Sequence, residues 1–401
     1  MNREIYLDNA ATTRAFDEVG ERVRDCMCKT YGNPSSLHMK GLEAEHILRD
    51  SAQTIAGILG VGRENIFFTS GGTESDNLAV LGAAAARSRA GHHIISSRLE
   101  HPAVQAPLQK LAEEGYEVTY AEPDTCGVLD PERIAAQVRP DTILISVMVV
   151  NNEIGSVQPV REIAAACKEK NPSVLVHSDA VQGFGKMALK PRADKVDLLT
   201  FSSHKIHGPK GVGGLYAADT RILRPVLFGG GQQKDIRPGT ENVPGIAGFA
   251  LAAQMMNRMM KENEEHERRL KRMLAEGILN IPDTRIHGMS AGMRGLDHGQ
   301  AAAGYAAWGA ASIVSAAFAD VSAEVLLHAL EDKGIYVSSG SACSSNHPKV
   351  SEVLKAIRAD REDMESTLRF SMSGMTSESD IEETIAALNE LVPVLRRFTR
   401  K

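Results

Sequence analysis

Aromatic residues make up only 4% of the 401-residue chain, and there is a single tryptophan. No apolar run reaches the roughly 18 residues of a membrane span, and mean hydropathy is -0.19. A spanning helix is therefore excluded. A charge excess of one sign is also lacking. Lysine plus arginine is 45 against 51 aspartate plus glutamate, a net charge of -6, so the composition carries no basic footprint for nucleic acid. The start, MNREIYLDNAATT, has no apolar h-region of a secretory signal, and the default expectation is the cytoplasm. Cysteine is sparse: five residues, at 26, 28, 126, 167 and 343. Their number is odd and their spacing irregular, with no C-x-x-C, which argues against a disulfide framework or zinc site and for reduced thiols. Neither a G-x-x-x-x-G-K-[ST] phosphate loop nor a G-x-G-x-x-G dinucleotide fingerprint occurs.

What is present is an ordinary globular composition, 43% hydrophobic and 24% charged, long enough for two or three domains. From about 50 to 225, apolar β-branched runs (65–70, 92–97, 142–150, 174–180, 197–203) alternate with helix-like stretches. That alternation predicts α/β architecture, a mostly parallel sheet covered by helices on both faces. Residues 250–276 read as one long charged helix, its methionines at 255, 256, 259 and 260 serving as core filler. Beyond it a smaller α+β domain is predicted, with a Ser/Gly-rich loop at 338–345, a strand at TLRFSMS and a final helix over 378–396. The predicted division is a large domain over 16–255 and a small one from 1–15 and 256–401. Segment 288–312, with six glycines and eight alanines, reads as a surface insertion without chemistry. The alternative is a partner-docking loop anchored by Tyr305 and Trp308.

In open α/β sheets, ligands bind at the carboxyl ends of strands. After IFFTS comes GGTESDN, where Gly72 and Thr73 open a helix whose first-turn amides suit a phosphate. After VLVHS comes Asp179, an acid that needs a cation or donor if buried, with Gln182 three residues on. Its plain alternative is a helix cap or turn. After DLLTFSS come His204 and Lys205. A lysine there is a candidate Schiff-base amine or an exposed strand-end lysine. His204 and His207 lack a further ligand set, so no metal is expected. Together the anion cradle, the acid and the lysine match the needs of pyridoxal 5'-phosphate. His101 is placed to stack on its ring or carry protons, whereas His92 and His93 lie at the opposite strand end. Cys343, flanked by Ser and Gly, is either incidental or a nucleophile on an arm.

Long motifs in order then carry a resemblance. They are YLDNAATT (6–13), YGNPSSLH (31–38), FTSGGTESDN (68–77), EHPAV (100–104), NNEIG (151–155), HSDAVQ (177–182), SSHKIHGPKG (202–211), RPGTEN (237–242), SSGSACSS (338–345) and LRFSMS (368–373). The chain resembles the cysteine desulfurases of the NifS and IscS type, group I by its cysteine loop, on the class V aminotransferase fold (pyridoxal-dependent fold type I). The resemblance implies a sulfurtransferase that removes sulfur from L-cysteine, leaving alanine and a persulfide on Cys343. Lys205 would hold the cofactor and move the Cα proton. Asp179 would pair with the pyridinium nitrogen, and Gln182 and Asn152 would contact the ring oxygen or its surroundings. His101 would stack on the ring. Gly72, Thr73, Ser202 and His204 would hold the phosphate. Thr240 would reach the phosphate of the neighbouring subunit, which implies a homodimer. Arg369, with Asn152, would bind the substrate carboxylate. No resident metal is implied, beyond Cys343 as a transient iron–sulfur ligand.

Two departures stand out. Segment 288–312 carries roughly a dozen extra residues relative to the family pattern, where AASIVS resumes it. The sequence also ends at LRRFTRK, where housekeeping members run on into a tail that docks an iron–sulfur scaffold. The acceptor is thus open between such a scaffold, a tRNA-thiolation enzyme and another carrier. A class V aminotransferase, a selenocysteine lyase and a catalytically silent interaction protein are the competing readings.

Overall fold

The computed structural model describes residues 4–339 and 351–399. Its strands are β1 (Ile5–Tyr6), β2 (Ile66–Thr69), β3 (His93–Ser97), β4 (Glu117–Ala121), β5 (Thr142–Ser146), β6 (Leu175–Asp179), β7 (Leu198–Ser202), β8 (Gly213–Ala217), β9 (Thr284–Ile286), β10 (Ile313–Phe318), β11 (Ile335–Tyr336), β12 (Ser338–Ser339) and β13 (Thr367–Ser371). Seven form one sheet in the order β2-β8-β7-β6-β5-β3-β4. Its β7-β6-β5-β3-β4 stretch is parallel, while β8 runs antiparallel to both neighbours. The doubly covered parallel sheet follows from the sequence pattern: every residue of β3, β5, β6 and β7 is buried, as uninterrupted Ile/Leu/Val runs require.

Two details differ from the sequence reading. The run 142–150 stops being a strand after Ser146, because Val150 turns into a bridge with Val157. Strand β4 was not foreseen. It is a half-exposed edge, so it lacks the apolar run that marked the others.

The long helix extends over Val243–Leu279, 37 residues. Its first half buries Phe249, Ala252 and Met256 in the core beneath the large sheet. Its second half buries Leu270, Leu274 and Ile278 with Leu7, Phe318 and Phe370 in a separate core. That second core underlies the four-stranded antiparallel sheet β12-β13-β10-β9. Met256 is core filler as expected, and Met255 packs against the same cluster.

Segment 288–312 is not a surface loop. It forms the helices Ala291–Arg294 and His298–Ala307. Asp297 caps the second by accepting from the Gln300 amide at 3.0 Å. Ala301, Ala302 and Ala306 are buried, and their small side chains let this helix lie against the long one. Tyr305 is fully buried, which removes it as an exposed docking anchor. Lys271 of the long helix donates to the carbonyls of Trp308 (2.7 Å) and Ala310 (2.9 Å). Its Nζ lies 4.2 Å from the Tyr305 ring centroid, and burial pushes the amine down to about 7; the two carbonyl bonds fasten the segment inward.

Candidate active site

The site sits where β6 and β7 end. Ser202 closes β7, and Ser203–Lys205 form a single 3-10 turn. This turn is laced to the chain's first segment. Thr13 donates to the His204 carbonyl from its amide (2.9 Å) and its hydroxyl (3.0 Å). His204 Nδ1 lies 3.1 Å from Thr12 Oγ1, and the His207 amide donates to Thr13 Oγ1 at 2.7 Å. Lys205 Nζ donates to the carbonyls of Ala10 (2.6 Å) and Ala11 (2.7 Å). Gln182 Nε2 donates to the same Ala10 carbonyl at 2.9 Å. Two residues singled out separately in the sequence thus converge on one backbone oxygen.

Asp179, at the end of β6, is buried and accepts from the Val181 amide at 2.8 Å. Burial pushes its carboxyl up, while the Val181 N–H and the Lys205 charge pull it back. His101 caps the helix Pro102–Glu113 by accepting from the Ala103 amide through Nδ1 at 3.1 Å. Burial and the nearby Lys205 charge hold its imidazole down at about 4, so it is neutral and its Nε2 carries the hydrogen. His204 is likewise held at about 4, by burial first and then by Lys205.

The helix Gly72–Arg87 begins without a side-chain cap on its first turn. A Cβ added to Gly72 would stand 2.8 Å from Val181 Cγ2 and 3.8 Å from Ser202 Cβ, so glycine lets that helix end close against β7. Ser202 Oγ is buried without a protein hydrogen-bond partner. An uncapped helix N-terminus facing an orphaned buried hydroxyl suits a phosphate. A buried acid and a lysine amine lie beside it. These residues fit pyridoxal phosphate. Thr73, also assigned to the phosphate, is exposed beside Gly72.

Arg369, in β13, is buried. Its Nη2 pairs with Asp8 at 2.7 Å and its Nη1 donates to the Asn152 carbonyl at 3.1 Å. Asn152 therefore enters the site through its backbone. Nε of Arg369 is buried and has no partner among the described residues. Thr240 does not join the cluster. It is exposed on a loop whose Arg237 pairs with Glu74 at 2.7 Å. Cys343 lies outside the described residues. Its flanks lead to the site: Ser338 is in register with Arg369 across β12 and β13, and Ser351 Oγ donates to Glu153.

Sequence reasoning missed Asp8, the carbonyls of Ala10 and Ala11, and a buried polar layer behind Asp179. There His177 Nε2 lies 3.5 Å from Asp76 Oδ1, and Glu100 accepts from Ser97 Oγ (2.6 Å) and the Met148 amide (3.0 Å). The signal was available, since these charged residues stand inside TESDN, EHPAV and HSDAVQ. Only the fold shows them stacked. Burial pushes the Glu100 carboxyl up to about 8 against those two hydrogen bonds, with Asp179 adding to the rise. A carboxyl raised in the folded state binds its proton there and releases it on unfolding. Its contribution is therefore present near pH 4 to 5 and is lost as pH rises to about 8. Glu100→Gln is expected to melt with the parent at about pH 5 and a few degrees above it at about pH 9. Calorimetry at the two pH values checks this; an equal offset at both would refute the raised carboxyl.

Comparison with known proteins agrees with this geometry. The family model for aminotransferase class-V matches residues 5–384. A cysteine desulfurase IscS from Methanosarcina thermophila is 37% identical over 398 residues, covering 99% of this chain and 94% of that protein. One from Glaesserella parasuis serovar 5 is 39% identical, covering 100% and 95%. A solved NifS-like protein superposes with a TM-score of 0.89 at 33% identity, covering 98% of this chain and all of its own. The chain belongs to the class V aminotransferase family, in its cysteine desulfurase branch.

Proposed function

We propose that the chain is a pyridoxal-phosphate-dependent cysteine desulfurase that takes sulfur from L-cysteine and passes it to a protein acceptor. The observation that carries the reading is the meeting of Lys205 and Gln182 on the Ala10 carbonyl, one residue run away from Asp8 and its partner Arg369. Arg369 binds the substrate carboxylate, and Asp8 and the Asn152 carbonyl hold the guanidinium in place. That orientation puts the substrate Cα toward Lys205. What pyridoxal phosphate supplies when bound is an electron sink for charge developing at Cα. Lys205 Nζ takes the Cα proton as a base. Asp179 is the buried acid that stays ionised opposite a ring cation. His101, neutral with its Nε2–H free, stacks and relays a proton. Cys343 attacks the substrate sulfur. The C–S bond breaks, an S–S bond forms, and Cβ gains a proton, so alanine leaves and Cys343 keeps a persulfide.

The phosphate falls to Gly72, Thr73, Ser202 and His204. Thr240 serves the site of a second subunit, which its exposure supports. Exposed Tyr31, Leu37, Met39 and Phe228 support the same homodimer. The large and small domains divide within the long helix near Met256, where its burial changes from one core to the other. The acceptor is an iron–sulfur scaffold or a tRNA-thiolation enzyme, and the place is the cytoplasm. Purified, cofactor-loaded protein given L-cysteine and a reductant is expected to form alanine and sulfide in equal amounts. Absence of alanine from a protein with normal cofactor absorbance would refute the reading.

A further inference from the structure

Lys186 leaves the turn that follows β6. Gly185 precedes it at φ +74°, where a Cβ would crowd Ile206 Cγ2 at 3.0 Å, so glycine lets this turn pack directly beneath Lys205–Ile206. Lys186 Nζ donates to Gln182 Oε1 at 3.4 Å. An ammonium has only hydrogens to offer. It therefore claims the oxygen end of the amide, as the Ala10 carbonyl, which only accepts, claims the nitrogen end. The Gln182 nitrogen is turned the other way, one hydrogen on the Ala10 carbonyl at 2.9 Å. Its second N–H has no protein partner among the described residues.

Lys186 faces charged and titratable groups on every side. Burial pushes its amine below the usual lysine range; Glu267, buried on the long helix, pulls it back, and Arg369 from β13 adds to the fall. His204 and His207, in the turn above, feel it in return. Nothing in the catalytic cycle set out above uses Lys186 or Glu267.

We propose that Lys186 is a positioning residue: together with the Ala10 carbonyl it holds the Gln182 amide so that nitrogen, not oxygen, faces the ring oxygen of the cofactor. The inference rests on the proposed pyridoxal phosphate chemistry and deepens it. With the cofactor bound, a donor at its ring oxygen would lower the proton affinity read in its visible absorbance.

The test is a pH titration of the visible absorbance of cofactor-loaded protein. Lys186→Met is expected to move the midpoint upward by about one unit. Lys186→Gln, which can still donate to the amide oxygen, moves it less and covers the case in which the methionine variant folds poorly. In a Gln182→Ala background, Lys186→Met should add no further shift. A full shift in that background would overturn the proposal, because the charge would then act through space without the amide. An unchanged midpoint in Lys186→Met, with the parent band present, would overturn it as well. A parent that shows no visible band with pyridoxal phosphate would overturn the function itself and this inference with it.

Discussion

Lys205→Ala is expected to fold, to retain pyridoxal phosphate without a covalent link, and to lose alanine formation by about four orders of magnitude or more. Folding should survive because the turn is held from its backbone and from Thr12 and Thr13, not by the lysine amine alone. Cofactor should remain because Ser202 and Asp179 are untouched. The amine held on the Ala10 and Ala11 carbonyls is the group lost, and no other lysine takes its place on them. Borohydride treatment followed by mass measurement reads the result. Cofactor fixed to the protein in the variant would disprove the assignment of Lys205.

Cys343→Ala is expected to give the opposite pattern. The cofactor band stays normal, because none of the residues that fit the cofactor lies in segment 338–345. Alanine and sulfide formation from L-cysteine falls by about three orders of magnitude or more, as for loss of a nucleophile. Turnover at the parent rate would remove the thiol from the reaction and favour a plain aminotransferase. The two variants together separate the roles: one loses the covalent cofactor, the other keeps it and still fails.

Legibility of this fold in its sequence followed burial. The strands of the large sheet's interior were visible because burial on both faces leaves unbroken apolar runs. The edge strand Glu117–Ala121, with one side half in water, carries no such mark. The helix His298–Ala307 was hidden for a related reason. Its alanines allow a short helix, but the six glycines beside them read as a loop, and the small side chains are what a close helix crossing needs. Within the site, Lys205, Asp179, Gln182, His101 and Arg369 could be named because they stand at strand ends or in recognisable motifs. Asp8 and the Ala10 carbonyl could not. A backbone oxygen has no residue signature, and a contact between positions 8 and 369 leaves no trace in local pattern. Lys186 lies beyond HSDAVQ and away from any strand end, so nothing local marks it.

The lacing of residues 8–13 onto Lys205 and Arg369 also sets an order of events for a growing chain. The Asp8–Arg369 contact spans 361 positions, and the Asn9 amide and side chain both end on the Ser371 carbonyl. Nine-tenths of the polypeptide must therefore leave the ribosome before its opening segment finds these partners, and closing so long a loop is slow. A nascent chain of about half length can already lay the Ala10 and Ala11 carbonyls under Lys205, across 195 and 194 positions, while Asp8 still waits for Arg369. The end of the site that meets the substrate carboxylate is thereby completed last, after the end that carries the lysine amine.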